Sequence, residues 1–199
     1  RGALQYIIMT RPDLVCPLKI ATLLPTKVQQ LQALKNIVRY LRDTISYGII
    51  YRPRNDVAHL KFGMAISNLH KVMAHADASW CSKNTLSGVL LTVNQNVIHG
   101  VSLTQAETPL STSEAENCSI SEGARRVIPL HNVVFEFIEN CPHFGQLEAP
   151  PEVSNDNRSA VHHSANNPAR KLKHCAIRET HAKQASDDNR IKLAWRRGI

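Results

Sequence analysis

Apolar residues recur at helical spacing early in the chain, from Thr26 to Asp43, with lysine and arginine between them. This spacing predicts an amphipathic helix that Thr26 is suited to cap. Its basic positions favour a solvated face over a direct contact with substrate. The apolar positions of its stripe are Val28, Leu31, Leu34, Ile37, Val38 and Leu41. The next residues predict a short strand over Tyr47–Tyr51 and a turn over Arg52–Asp56.

Three runs rich in β-branched and aliphatic residues follow, at 71–76, 88–93 and 97–103. Polar segments such as Asn94–Asn96 separate them, and connections this short join antiparallel neighbours. The runs therefore predict a three-stranded antiparallel meander.

The longest helical pattern covers Ser113–Glu139, and either Ser111 or Thr112 can cap its N-terminus. Pro129 interrupts this pattern and lacks a backbone donor. We therefore expect either a kink or two helices that meet at this proline.

Beyond Pro150 and Pro151, a short strand reaches Asp156, and residues 158–166 predict a helix. A further helix follows Lys173, and a last strand covers 191–195. The expected fold class is α/β, with a mixed sheet that starts with three antiparallel strands and is covered by helices. The amphipathic helix near the N-terminus forms a helical extension to this sheet.

Composition favours a globular protein with a polyanionic partner. The 199 residues are 43% hydrophobic, which allows one domain of ordinary size and an appendage. The formal net charge is +8, and much of the excess lies near the C-terminus. Five cysteines without a Cys-x-x-Cys pair predict free thiols in an intracellular protein. No apolar run is long enough to cross a bilayer, so we expect a soluble protein without a membrane partner.

Three acidic residues stand in separate local contexts that suggest a shared site. Asp77 follows a short apolar run, Glu116 lies near the start of the long predicted helix, and Asp156 stands where a strand gives way to a helix. Carboxylates placed in this way can converge in a compact α/β domain, and their hard oxygens suit Mg²⁺. Because most acidic residues are simply solvated, the assignment depends on the residues around each acid.

The residues around these acids resemble a known family. They form the segments Asp77-Ala-Ser-Trp80, Thr85-Leu-Ser-Gly88, Leu110-Ser-Thr-Ser-Glu-Ala-Glu116 and Asn155-Asp-Asn-Arg-Ser-Ala160. In order and spacing, these segments resemble the ribonuclease H domain of copia-type LTR retrotransposon polyproteins. The resemblance continues upstream. In that family a segment joins the reverse transcriptase to the ribonuclease H domain, and it is similar to Thr10–Leu14, Pro25–Lys27 and Ala33–Tyr51 of this chain.

The resemblance implies two parts. Residues 1–56 would be the C-terminal and connection segment of a reverse transcriptase, and residues 68–199 a ribonuclease H-like domain truncated at its C-terminus. It also implies cleavage of the RNA strand of RNA–DNA hybrids with two Mg²⁺ ions, which Mn²⁺ could replace. The partners would be that hybrid and the adjoining reverse transcriptase. The expected location is intracellular, in a cytoplasmic virus-like particle or in the nucleus.

By the same resemblance, Asp77 would bridge the two metal ions, and Glu116 and Asp156 would complete separate coordination shells. Glu116 matches the family's catalytic position better than Glu114. On a helix these two side chains point about 200° apart, so only one of them can face the site. Contacts to nucleic acid would come from Arg158, Lys173, His174 and Arg178, of which the last three resemble the family's Lys-His-Ile-Asp-Ile-Arg block.

Several features depart from the family. Ser79 stands where the family has a second Asp, Asn117 replaces an aromatic residue, and residues 99–105 replace a stretch with Trp and paired lysines. The family's fourth carboxylate lies after the last strand and has no counterpart before Ile199. We therefore expect an incomplete metal shell and weak or undetectable cleavage. The alternative is a degenerate, non-catalytic remnant that folds as a nucleic-acid-binding or scaffold domain.

Other constellations favour simpler interpretations. Ser-His-Asp catalysis lacks a Gly-x-Ser-x-Gly elbow. Trp80 and Trp195 favour core packing over stacking on bases. Five residues in the C-terminal part could be imagined as a zinc site but match no structural zinc spacing. They are His162, His163, His174, Cys175 and His181.

Overall fold

The computed structural model describes residues 2–51, 69–81, 84–106, 108–166 and 176–197, with the backbone alone at residues 166 and 176–180. The N-terminal part is helical. Its elements are α1 (Gly2–Ile7), a 3-10 turn (Pro12–Leu14), α2 (Val15–Leu23) and α3 (Lys27–Asp43). Within the described ranges, no helix is both long and apolar enough to span a membrane.

Helix α3 confirms the helix predicted from the apolar spacing. Thr26 caps it, because its hydroxyl oxygen accepts a hydrogen bond from the Gln29 N–H at 3.2 Å. Packing buries or partly buries one row of the stripe, namely Leu34, Ile37 and Leu41. The other row is more than half exposed, contrary to the prediction: Val28, Leu31 and Val38. The small N-terminal core lies on one side of α3 and leaves this second row without cover.

The strand predicted over Tyr47–Tyr51 is wrong, because this segment pairs with no strand of the described ranges. Aromatic and β-branched side chains favour extended backbone, but a strand also needs a hydrogen-bonded neighbour. Arg11 contacts the start of the segment instead. Its Nη1 donates to the Thr44 carbonyl at 3.0 Å, and its guanidinium lies 6.0 Å from the centre of the Tyr47 ring. The turn predicted over Arg52–Asp56 lies outside the described residues.

The second part contains a mixed sheet. Its strands are β1 (Leu69–His70), β2 (Val72–Ser79), β3 (Leu86–Val93), β4 (Asn96–Thr104), β5 (Gln146–Leu147), β6 (Glu152–Asn155) and β7 (Lys192–Trp195). Five of them form one sheet in the order β4-β3-β2-β6-β7, and β1 pairs separately with β5. Strands β4, β3 and β2 are antiparallel, whereas β2, β6 and β7 are parallel. The predicted meander and mixed sheet are confirmed.

The helices of this part are α4 (Thr112–Asn140), α5 (Arg158–Asn166) and α6 (Ala176–Asp187). Ser111 caps α4, and the helix runs through Pro129 without a break, so the expectation of two helices is wrong. Pro129 is exposed, and water can therefore bind the carbonyl group that its missing N–H leaves unpaired. The apolar neighbours Val127, Ile128 and Leu130 pack against the core on both sides of the proline.

Small and β-branched side chains fill the core between α4 and the sheet, among them Ala74, Ala76, Val89, Ile120, Ala124 and Val153. Gly123 marks a close approach of α4 to the strands. A Cβ at this position would lie 3.1 Å from Val153 Cγ1 and 3.3 Å from Ala76 Cβ. This packing fixes the N-terminal half of α4 against β2 and β6.

The N-terminal helices pack on the opposite face of the sheet, over β4. A Cβ at Gly100 would lie 3.5 Å from both Pro12 Cβ and Val15 Cγ2. The next residue, Val101, packs against the α4 core. Because successive residues of a strand point to opposite faces, the sheet lies between α4 and the N-terminal helices at this point.

Ion pairs tie the buried residue Glu152, at the start of β6, to its neighbours. Its two carboxylate oxygens accept from Lys71 Nζ at 2.7 Å and from Arg196 Nε at 2.7 Å. Burial acts to raise the pKa of Glu152, but the hydrogen bonds from Arg196 and Lys71 outweigh it, and the pKa is lowered. Glu152 is therefore a structural carboxylate that holds β6 and β7 together.

Candidate metal centre

Three elements bring the predicted acids to one place. Asp77 lies on β2, Asp156 directly follows β6, and Glu116 lies in the second turn of α4. Strands β2 and β6 are parallel neighbours, so residues at their carboxyl ends meet at the same edge of the sheet. One possible ligand atom from each of the three side chains lies within 4.8 Å of the other two. The structure thus brings together all three acids that the sequence suggested.

The environment of the cluster disfavours its negative charge. Glu116 is only 8% exposed, whereas Asp77 and Asp156 reach solvent. Burial, opposed by a hydrogen bond from Asn155 and reinforced by the charges of Asp77 and Asp156, raises the pKa of Glu116 to about 7. Burial and the nearby charge of Asp156 also raise the pKa of Asp77. Crowded carboxylates repel one another unless a proton or a cation neutralises them.

Hydrogen bonds fix the Glu116 carboxylate from the protein side. Its Oε2 accepts from Asn155 Nδ2 at 2.8 Å and from Ser119 Oγ at 3.3 Å. Glu114 points elsewhere, as expected, because its Oε2 accepts from the Leu110 N–H at 2.6 Å in front of the helix. Glu114 therefore helps to cap α4, and Glu116 belongs to the cluster.

The donor set fits a divalent cation. All three groups are hard oxygen ligands of the type that Mg²⁺ prefers. In the part of the chain that the structure describes, no lysine or arginine forms an ion pair with Asp77, Glu116 or Asp156. The same part contains no other group of His, Cys, Asp and Glu close enough to hold a metal ion. A cation would supply the missing positive charge.

The sequence has relatives. No family model matches the chain. The retrovirus-related Pol polyprotein from transposon RE1 of Arabidopsis thaliana is 30% identical over 184 residues, which are 88% of this chain and 11% of the polyprotein. The chain is homologous to a segment of a retrotransposon Pol polyprotein. It spans only about a tenth of that relative's length.

A second protein is also similar in sequence to the chain. Secreted RxLR effector protein 161 of Plasmopara viticola is 28% identical over 134 residues, which are 64% of this chain and 85% of that protein.

Solved structures are similar at low sequence identity. The N-terminal RNase H domain of rv2228c from Mycobacterium tuberculosis has a TM-score of 0.44 and 13% identity, over 63% of this chain and 83% of that one. The foamy viral protease-reverse transcriptase in complex with RNA/DNA hybrid has a TM-score of 0.44 and 10% identity, over 86% of this chain and 24% of that one. The chain has the predicted ribonuclease H-like fold. The strand order, the strand directions and the covering helices described above agree with it.

The structure describes only some of the residues predicted to contact nucleic acid. Arg158 is exposed in the first turn of α5, two residues after Asp156. Lys173 and His174 lie outside the described residues, and Arg178 is described by its backbone alone, in α6. The binding roles of these four residues stay predictions, as do the metal-binding and catalytic roles of the three acids.

The sequence analysis missed Asn155 and Ser119, the two donors to Glu116. Both are buried. Asn155 is the last of several polar residues in a strand that the folded chain buries along its whole length. A polar side chain at such a position needs hydrogen-bond partners. Because the burial of this strand and the partners of Asn155 arise only in the fold, the motif around Asp156 gave Asn155 no role.

The two tryptophans are not core residues, contrary to the expectation. Trp80 and Trp195 are each 49% exposed. The indole N–H of Trp195 donates to the carbonyl of Asp156 at 2.9 Å, and that of Trp80 donates to the carbonyl of Pro109 at 3.1 Å. Trp195 therefore lies beside one acid-bearing segment with part of its ring open to solvent.

Proposed function

We propose that the chain is the ribonuclease H part of a copia-type LTR retrotransposon polyprotein, and that it cleaves the RNA strand of RNA–DNA hybrids with two Mg²⁺ ions. The observation that carries the proposal is the meeting of Asp77, Glu116 and Asp156, whose ligand atoms lie within 4.8 Å of one another. Homology to a Pol polyprotein supports it. The reaction would take place inside the cell, in a cytoplasmic virus-like particle or in the nucleus.

Asp77, Glu116 and Asp156 would hold the metal ions through their carboxylate oxygens. Bound Mg²⁺ supplies the chemistry of a Lewis acid, which activates the attacking water and stabilises the leaving 3′-oxygen; Mn²⁺ could replace it. The two exposed carboxylates leave the site open to a phosphodiester. Glu116 is buried and hydrogen-bonded, so it provides the fixed side of the site.

The remaining parts of the chain would bind the hybrid and the neighbouring protein. The net charge of +8 favours a polyanion, and Arg158, Lys173, His174 and Arg178 are the proposed phosphate contacts. Preference for RNA in the cleaved strand would depend on contacts to its 2′-hydroxyl groups. Residues 1–56 would connect the site to an adjoining reverse transcriptase, and residues 68–199 would form the nuclease domain.

The test is cleavage of a labelled RNA–DNA hybrid by the wild-type chain, by Asp77→Asn and by Asp188→Asn. Asp188 is an exposed aspartate after α6, so its variant makes the same chemical change away from the cluster. We expect weak cleavage of the RNA strand that depends on Mg²⁺ or Mn²⁺, loss of this cleavage in Asp77→Asn, and unchanged cleavage in Asp188→Asn. Double-stranded DNA should remain intact.

Two results would contradict the nuclease proposal. One is cleavage by Asp77→Asn at the wild-type rate, which would assign the activity to a contaminant or to another site. The other is a folded wild-type chain that cleaves with neither metal ion. If such a chain still binds hybrid with an affinity that falls steeply as salt rises, the non-catalytic nucleic-acid-binding remnant is the correct function.

A further inference from the structure

Asn155 occupies a central position beneath the acid cluster. It is the last residue of β6, it is only 3% exposed, and Asp156 follows it directly. Its side-chain nitrogen donates to the carbonyl of Ala76 at 2.9 Å and to Glu116 Oε2 at 2.8 Å. Its side-chain oxygen accepts from the Asn157 N–H at 2.8 Å. One small amide thus makes three hydrogen bonds to three different segments.

Each of these bonds reaches a segment that carries one of the acids. Ala76 precedes Asp77 on β2, and Glu116 is itself bonded. Asn157 follows Asp156 and caps α5, since its own side chain accepts from the Ala160 N–H at 3.0 Å. From this geometry we infer that Asn155 is a positioning residue, which sets the spacing of the three carboxylates and thereby the affinity of the site for a divalent cation. The inference rests on the proposed metal-binding function.

The chemistry of the three partners requires an amide. The Ala76 carbonyl can only accept a hydrogen bond, the Asn157 N–H can only donate one, and an ionised Glu116 can only accept. A carboxylate at position 155 would have no hydrogen to offer Ala76 or Glu116 and would add a fourth negative charge. An apolar side chain of the same size would leave all three partners without this bond.

The spacing matters because the acids repel one another. Without a fixed support, Glu116 would relax away from Asp77 and Asp156, and a cation would have to bring the three groups together again. The hydrogen bond from Asn155 instead holds Glu116 near the other two acids once the chain has folded. Ser119 gives Glu116 a second, longer bond, but its hydroxyl bonds to Glu116 within α4, and these bonds do not link the helix to the strand ends.

The test compares three variants of the full 199-residue chain with the wild type. Asn155→Leu keeps the approximate size of the side chain and removes all three bonds. Asn155→Ser is a smaller change that keeps the protein foldable if leucine does not. Ser164→Ala is the matched control, because Ser164 is equally buried and its hydroxyl donates to Asn117 at 3.1 Å and to none of the acids.

Two quantities are measured for each protein. The first is stability in EDTA, from urea unfolding followed by circular dichroism. The second is the dissociation constant for Mn²⁺, from the electron paramagnetic resonance signal of the free ion. Loss of a residue that orients a metal ligand commonly weakens metal affinity by about 10- to 100-fold. We expect about tenfold weaker Mn²⁺ binding in the folded Asn155 variants, and affinity within about twofold of wild type in Ser164→Ala at a similar loss of stability.

Wild-type Mn²⁺ affinity in a folded Asn155 variant would overturn the inference, as would an equal loss of affinity in Ser164→Ala. Either result would leave Asn155 as a residue that stabilises the fold alone. A wild-type chain that binds no Mn²⁺ is a different failure. It would refute the metal site itself, and with it both the proposed function and the role of Asn155.

Discussion

The state of Glu116 in the absence of metal leads to a prediction about stability. Burial is the main cause that raises its pKa from 4.5 to about 7. Between these two values the folded protein keeps a proton that the unfolded chain has already lost. The contribution of Glu116 to stability is therefore full below pH 4.5, decreases as the pH rises, and is lost above about pH 7.

The magnitude follows from the size of the shift. At about 1.4 kcal/mol for each pH unit, the change from 4.5 to about 7 corresponds to roughly 3 kcal/mol. Glu116→Gln isolates this effect, because glutamine has the same shape, can still accept from Asn155 and does not titrate. The free energy of unfolding of the wild type, minus that of Glu116→Gln, should fall by roughly 3 kcal/mol between pH 4.5 and pH 8. This value belongs to the coupled cluster, since Asp77 responds to the same proton.

The assay is urea unfolding in EDTA across this pH range, for both proteins. Groups outside the cluster also titrate in this range, but they contribute equally to both proteins and cancel in the difference. Glu122, on the same helix, offers a control with the opposite sign. Burial acts to raise its pKa, but hydrogen bonds from Arg125 and Arg126 lower it. When unfolding is also followed below pH 4.5, the loss of stability caused by Glu122→Gln should therefore disappear as the pH falls. A difference for Glu116→Gln that is flat from pH 4.5 to pH 8 would refute the reasoning.

Three further predictions concern the surroundings of the site. Gly123→Ala should lower the free energy of unfolding, measured with urea, by about 1 kcal/mol. Overpacking against the strands costs about 1–3 kcal/mol, which exceeds the gain in helix propensity of about 1 kcal/mol. A variant as stable as wild type would contradict this. Glu152→Gln should lower the free energy of unfolding by about 1–2 kcal/mol at pH 7, because its two cationic partners lose a charged acceptor, and by less at pH 3. An equal loss of stability at both pH values would count against this. Trp80→Phe leaves Trp195 as the chain's single tryptophan, and Mn²⁺ should quench its fluorescence because its indole is bonded to the carbonyl of Asp156. Unchanged tryptophan fluorescence at saturating Mn²⁺ would place the ion elsewhere.

Local patterns in the sequence were sufficient for most elements of the fold. Helix α3 follows from apolar spacing and a capping threonine, and the meander follows from short apolar runs with polar connections. Propensity failed at Tyr47–Tyr51, where a strand would have needed a partner that a local pattern cannot supply. Of the two outcomes expected at Pro129, two separate helices are excluded, because α4 is continuous through the proline and residues on both sides of it pack against the core.

Some residues of the candidate site could also be predicted from local patterns, and others could not. Asp77, Glu116 and Asp156 could be selected because each acid stands in a recognisable motif at the end of a strand or the start of a helix. Asn155 could not, because its partners come from β2, α4 and the turn after β6, and only the folded chain brings them together. The exposure of Trp195 likewise depends on what packs beside a strand at the end of the sheet.

The central claim is that the three acids bind divalent metal, and anomalous diffraction from crystals soaked in Mn²⁺ tests it most directly. The account predicts one or two anomalous peaks about 2–2.5 Å from carboxylate oxygens of Asp77, Glu116 and Asp156, and their loss in crystals of Asp77→Asn. Peaks elsewhere in the molecule, or well-diffracting crystals without a peak at these carboxylates, would contradict it.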